Sequence, residues 1–96
     1  HMFIYAIGNT TDKQKIGISK HPEKRLTELQ TGNPDKLYIH YSFPITEKTA
    51  YKFEATIHRE INYKRINGEW FTMTPEEVIT FLTFQEIMCE TIEATL

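Results

Sequence analysis

The sequence predicts a small α+β domain in which a three-stranded antiparallel sheet is flanked by helices in the order β-β-α-β-α-α. Three observations predict it. Two β-rich runs at the start of the chain are joined by a Gly-Asn-Thr-Thr-Asp loop, and a third run rich in Tyr and Ile follows after a helical stretch. Two later segments then repeat apolar residues at helical spacing. Three strands have too little surface to stand alone, so helices laid against them complete a single layered unit.

Each element has a local reason. Residues 2–8 are apolar and β-branched and run into the loop at residues 8–12, while residues 14–19 alternate Lys15, Ile16, Gly17 and Ile18, so 1–19 reads as a hairpin. Pro22 suits a first helical turn, Leu26 and Leu29 keep helical spacing, and Gln30-Thr31-Gly32-Asn33-Pro34 stops the helix. Residues 37–43 form the third strand, which Pro44 is expected to end. Thr46 is placed to cap a helix reaching about Ile61, with Ala50, Phe53, Ile57 and Ile61 as its apolar stripe. Residues 62–68 read as a polar connector into the short apolar segment Trp70-Phe71. Thr74 and Glu77 have capping-box spacing, and the last helix, residues 75–96, is expected to turn Val78, Leu82, Met88 and Ile92 inward.

Composition narrows the class of protein. Ninety-six residues with 40% hydrophobic and 25% charged side chains suit one globular domain, taken as residues 2–96. His1-Met2 reads as a cloning remnant, so His1 is left out of the chemistry. Cys89 is the single cysteine, which excludes an internal disulfide and points to a reducing, cytoplasmic setting. No apolar run reaches the roughly 18 residues of a membrane span, so no membrane role is expected. The net charge of −2 conceals a division. All 11 Lys and Arg lie within residues 1–65 beside seven acids, giving +4, whereas residues 66–96 carry six acids and no Lys or Arg, giving −6. Such a basic body attracts phosphate while the acidic end stays solvated or meets a partner.

Three blocks hold side chains suited to phosphodiester chemistry: Phe3-Ile4-Tyr5, Lys15-Ile16-Gly17 with Arg25 beyond it, and Gly68-Glu69-Trp70-Phe71 after a helix with Glu54 and His58. A phenol, an amine, a guanidinium and a lone carboxylate are the groups needed to activate water, grip phosphate and hold one divalent ion. Their order and spacing resemble the GIY-YIG endonuclease superfamily. The match is nearest to its short phage-encoded branch, of the phage open-reading-frame-172 type, with Lys-Ile-Gly in place of Tyr-Ile-Gly. The resemblance also takes in Pro22-Glu23-Lys24-Arg25-Leu26, Leu29-Gln30-Thr31-Gly32 and Phe53-Glu54…His58, and is strongest over residues 2–84.

The resemblance implies a metal-dependent DNA endonuclease using a single Mg²⁺ or Mn²⁺. Tyr5 then deprotonates or orients the attacking water. Lys15 either binds phosphate as a point charge or serves as the base, should burial and Arg25 lower its pKa. Arg25 stabilises the phosphorane with a planar fork that lysine lacks, Glu69 holds the metal, and His58 adds a general acid or phosphate donor whose tautomer Glu54 fixes. Gly17 supports the site, and Lys13, Lys20 and Lys24 add charge for DNA, single- or double-stranded. Trp70 and Phe71 read as core anchors in preference to rings that stack on bases. Two alternatives stay open: a nucleic-acid-binding module without catalysis, and a regulatory interaction domain. In the latter, Ile87, Met88, Ile92 and Leu96 of the acidic helix are available to pair two copies.

Overall fold

In the computed structural model, which describes residues 1–95, five antiparallel strands form one sheet in the order β3-β1-β2-β5-β4. Strands β1 (Met2–Gly8) and β2 (Lys13–Ser19) are the expected hairpin, with Ile4 opposite Ile18 and Tyr5 opposite Gly17. Asn9 closes its loop. Its side-chain oxygen accepts the backbone N–H groups of Thr11, Asp12 and Lys13 at 3.0, 2.8 and 2.9 Å, a chelation that short amide side chains favour in turns. Helix α1 (Pro22–Gln30) follows, then β3 (Tyr38–Ile45) beside β1. Pro44 does not end that strand. It lies within β3 because β3 is an edge strand, where a missing N–H removes no ladder bond.

The sequence led to three strands, and the structure adds two. After helix α2 (Glu47–Glu60) and a 3-10 turn at Asn62–Lys64, the supposed connector folds into a hairpin of β4 (Arg65–Asn67) and β5 (Trp70–Thr72). Gly68 makes this possible. Its φ of +51° has the sign that two-residue hairpin loops require at their first position. β5 then pairs with β2, setting Phe71 opposite Gln14 and Trp70 opposite Lys15. Strands of three residues are too short for an alternating pattern to declare itself.

Alternation sorts the sheet's two faces. Ile4, Ala6, Ile16, Phe43 and Phe71 enter the main core with Ala50, Phe53 and Ile57 of α2. Tyr5 and Ile7 face the other way, into a smaller cluster with Leu26 and Leu29 of α1, Leu37 and Trp70. Thr46 occupies the N-cap position of α2 without bonding the helix backbone; its hydroxyl instead meets Glu93 Oε2 at 2.7 Å.

Helix α3 (Pro75–Ala94) begins with the expected capping box, Glu77 N donating to Thr74 Oγ1 at 3.1 Å and Thr74 N to Glu77 Oε1 at 2.8 Å. Val78 and Leu82 point inward, but Met88 and Ile92 are 42% and 39% exposed. Gln85 and Cys89 take the buried positions, because 78, 82, 85 and 89 keep the 3.6-residue repeat; Met88 falls about 100° from Cys89, and Ile92, nearer the same face, lies in the last turn beyond it. The buried amide of Gln85 is satisfied by Glu60 Oε2 at 2.8 Å. Burial and the neighbouring acids push the Cys89 thiol up to about 11. Leu96, counted with the outer residues of this helix in the sequence reading, lies outside the described residues. Among the described residues no helix is long and apolar enough to cross a membrane.

Candidate active site

Strand register assembles the site on the α1 face of the sheet. Tyr5 and Gly17 are directly opposed on β1 and β2, and Lys15 points to the same side as Gly17, two residues away. A side chain at Gly17 would have no room. Its Cβ would lie 2.7 Å from the Tyr5 hydroxyl and 3.0 Å from Glu69 Oε1, so phenol and carboxylate converge over this one glycine.

Glu69 reaches that point from the tip of the β4–β5 hairpin. Its backbone carbonyl accepts the Ile16 N–H at 3.1 Å, which pins the tip to β2. The side chain remains 40% exposed and forms an ion pair with Lys15, Nζ to Oε1 3.3 Å. Lys15 also lies 5.8 Å from the centre of the Trp70 ring.

Arg25 comes from the first turns of α1. Burial raises the pKa of the Tyr5 phenol above its ordinary value, and Arg25, as hydrogen-bond donor and neighbouring charge, takes back part of that rise. The phenol in turn lifts the guanidinium further above its usual range. Glu28 holds the other side of Arg25, Nη1 to Oε1 3.2 Å.

Glu54 and His58 lie on α2 where it passes the edge of β2. Strand β5 begins at Trp70, so the β2 edge beyond Ile16 is left without a neighbouring strand; the ring of His58 fills the gap, Nε2 donating to the Ile16 carbonyl at 2.7 Å. The imidazole also leans on Phe71, ring centres 5.2 Å apart. Its tautomer is therefore set by a backbone carbonyl. Glu54 turns to the cluster instead. Its carboxyl is pushed up to about 7, first by burial, then by the charge of Glu69 and a hydrogen bond shared with it, with Lys15 opposing. The structure thus gathers Tyr5, Lys15, Gly17, Arg25, Glu69 and Glu54, and leaves His58 at the strand edge.

Residues 2–86 match the family model described as the T5orf172 domain. The chain belongs to that family. It is also similar to the "Putative endonuclease" of Escherichia phage T5, 36% identical over 90 residues that take in 83% of this chain and 32% of that protein. The chain spans about a third of that relative's length. No solved structure matches it significantly.

The T5orf172 match includes every residue of the cluster and stops within α3 at Glu86. Around the cluster, Lys13 begins β2 on the Lys15 side and pairs with Asp12 at 3.6 Å. Lys20 follows β2 and Lys24 lies in α1, both exposed. The sequence offered no sign that Glu54 would partner Glu69. Fifteen residues and a hairpin separate them, and only the crossing of α2 over the free β2 edge brings them together.

Proposed function

We propose that this T5orf172 domain is a DNA endonuclease of the GIY-YIG type that hydrolyses phosphodiester bonds with one divalent ion. The observation that carries the reading is the convergence of the Tyr5 hydroxyl and Glu69 Oε1 over Gly17, with the cations Lys15 and Arg25 beside them. A phosphodiester is an anion that must gain negative charge to react. Positive groups aimed at one point and an oriented hydroxyl are what lower that barrier.

Arg25 grips non-bridging oxygens through its fork, and Lys15 adds a point charge. Tyr5, kept protonated by burial, orients the attacking water, and it becomes a proton acceptor only as far as Arg25 stabilises the phenolate. His58 acts through β2, holding the strand that carries Lys15 and Gly17. The donor set fits a hard divalent cation. Glu69 offers a part-exposed carboxylate with the Glu54 carboxyl next to it, and Mg²⁺ commonly takes only one or two protein carboxylates and keeps its remaining waters. When bound there, Mg²⁺ or Mn²⁺ would offset charge on the leaving oxygen.

Digestion of plasmid and oligonucleotide DNA with Mg²⁺, Mn²⁺ or EDTA tests the reading. Metal-dependent cutting is expected from the parent, and Glu69→Ala is expected to bind DNA without cutting it. Cutting by Glu69→Ala at the parent rate removes Glu69 from the mechanism. The Lys15–Glu69 ion pair favours a second reading, in which the ammonium takes the metal's place and the domain binds nucleic acid without catalysis. Binding by folded protein with no nicking in either metal selects it. The exposed side chains Phe84, Ile87, Met88 and Ile92 on α3 further support pairing of two copies. Sedimentation as a monomer at tens of micromolar would discard that pairing.

A further inference from the structure

Beside the cluster a groove of about 490 Å³ opens between the loop before β3 and the β4–β5 hairpin, with Leu37, Ile66 and Trp70 as its apolar walls and Asn33 and Asn67 among its polar ones. One row of the sheet joins this groove to the cationic site. Lys15 on β2 is directly opposite Trp70 on β5, and Trp70 is directly opposite Asn67 on β4. Directly opposed side chains on one face stand about 5 Å apart, so the row presents an ammonium, an indole face and a carboxamide in sequence. A nucleotide presents its phosphate, base plane and base edge in the same order.

We propose that the groove is a nucleobase subsite, in which the base of the nucleotide whose phosphate meets Lys15 stacks on Trp70 and turns its edge to Asn67. The assignment rests on the phosphate-binding part of the function proposed above. Stacking on an aromatic ring accepts any base because each has a π face, and side-chain amides can both donate to and accept from a base edge. Asn67 is exposed, so its amide is free to turn. Asn33 has its oxygen committed to the Asp35 N–H at 2.9 Å, which leaves its amino group as a donor. The groove's one carboxylate, Asp35, is held by Asn9 Nδ2 at 3.1 Å, and Lys13 at the rim supplies a cation for the neighbouring phosphate.

Trp70 is the chain's single tryptophan, so its fluorescence reports on the groove and on Lys15 beside it. The full chain, in EDTA to prevent cutting, is titrated with a single-stranded oligodeoxynucleotide and with a strand of equal length made entirely of abasic sites. The intact strand is expected to quench Trp70 and to bind about tenfold more tightly than the abasic strand, the factor that one stacked base commonly supplies. Asn67→Ala is expected to weaken binding of the intact strand severalfold and leave that of the abasic strand unchanged. Equal affinity and equal quenching for the two strands overturn the subsite, as does failure of both to bind. The two readings fail separately. Base-dependent quenching without metal-dependent cutting leaves the subsite and removes the hydrolase, whereas cutting with no difference between the strands removes the subsite alone.

Discussion

Gly17 keeps the centre of the site open by having no side chain. Because a Cβ there would lie 2.7 Å from the Tyr5 hydroxyl, Gly17→Ala must displace the phenol or Glu69, and misplacing a reacting group by about 1 Å commonly costs on the order of 100-fold in rate. Cutting by this variant is expected to fall by about that factor; an unchanged rate would mean that phenol and carboxylate need not meet. Arg25→Lys keeps the charge and loses the fork. Removing one preorganised donor costs about 3–4 kcal/mol of barrier, so single-turnover cleavage should slow by at least about 100-fold while DNA affinity changes little. Glu54 makes stability depend on pH. Its carboxyl is pushed up to about 7 in the folded protein against an ordinary value of 4.5, so between those values the folded state holds a proton that the unfolded chain has released. That contribution is fully present below 4.5 and is lost as pH rises through 7. In metal-free buffer, the melting temperature of the parent should therefore decline from pH 5 to pH 8 more than that of Glu54→Gln. Parallel profiles would show that Glu54 carries no such shift. Of these three residues, Gly17 and Arg25 were legible from motif spacing. The pairing of Glu54 with Glu69 was not, since it depends on the path of α2 past a strand edge.

Among the elements, legibility followed the range of the signal. The capping box of α3 could be read because Thr74 and Glu77 are three residues apart and bond each other locally, and the stripe of α2 because Ala50, Phe53, Ile57 and Ile61 share one face. The β4–β5 hairpin leaves no local signal because its stability comes from pairing with β2, more than fifty residues earlier in the chain. The inward side of α3 differs from the expected one for a related reason. Ile87, Met88 and Ile92 are as apolar as the buried positions, and only the packing of Val78, Leu82 and Cys89 decides which face turns in. A pair of variants separates positioning of Glu69 from stability in general. Gly68→Ala forces a side chain onto φ +51°, at a cost of about 1–2 kcal/mol, and distorts the loop that aims Glu69. Thr74→Ala removes a helix cap for about 1 kcal/mol on the opposite side of the sheet from the site. Both should lower the melting temperature by several degrees, but only Gly68→Ala should lose cutting. Equal loss of cutting in the two would trace the effect to unfolding.

At the scale of the whole molecule, the division of charge seen along the chain is only partly a division in space, since Asp12, Glu28 and Glu69 pair with Lys13, Arg25 and Lys15, and Lys64 pairs with Glu77 on α3. Lys13, Lys15, Lys20, Lys24 and Arg25 gather on β2, α1 and the turn between them, while Glu76, Glu77, Glu86, Glu90 and Glu93 ride on α3, which packs against the other face of the sheet. Of the six acids after residue 65, only Glu69 reaches the cationic side. The net charge of −2 therefore misrepresents what a polyanion meets, because screening confines interactions to about 10 Å in ordinary buffers and the nearest face dominates. Five phosphate contacts would give log affinity for duplex DNA a slope of about −4 to −5 against log salt concentration. Lys24→Ala, which removes an exposed cation at the rim, should bring that slope about one unit nearer zero without altering base preference. Glu90→Gln removes one negative charge from the far face, so it should leave the slope where it was. If the two substitutions changed the slope equally, DNA would be responding to overall charge, and the cationic face would lose its claim to be the binding surface.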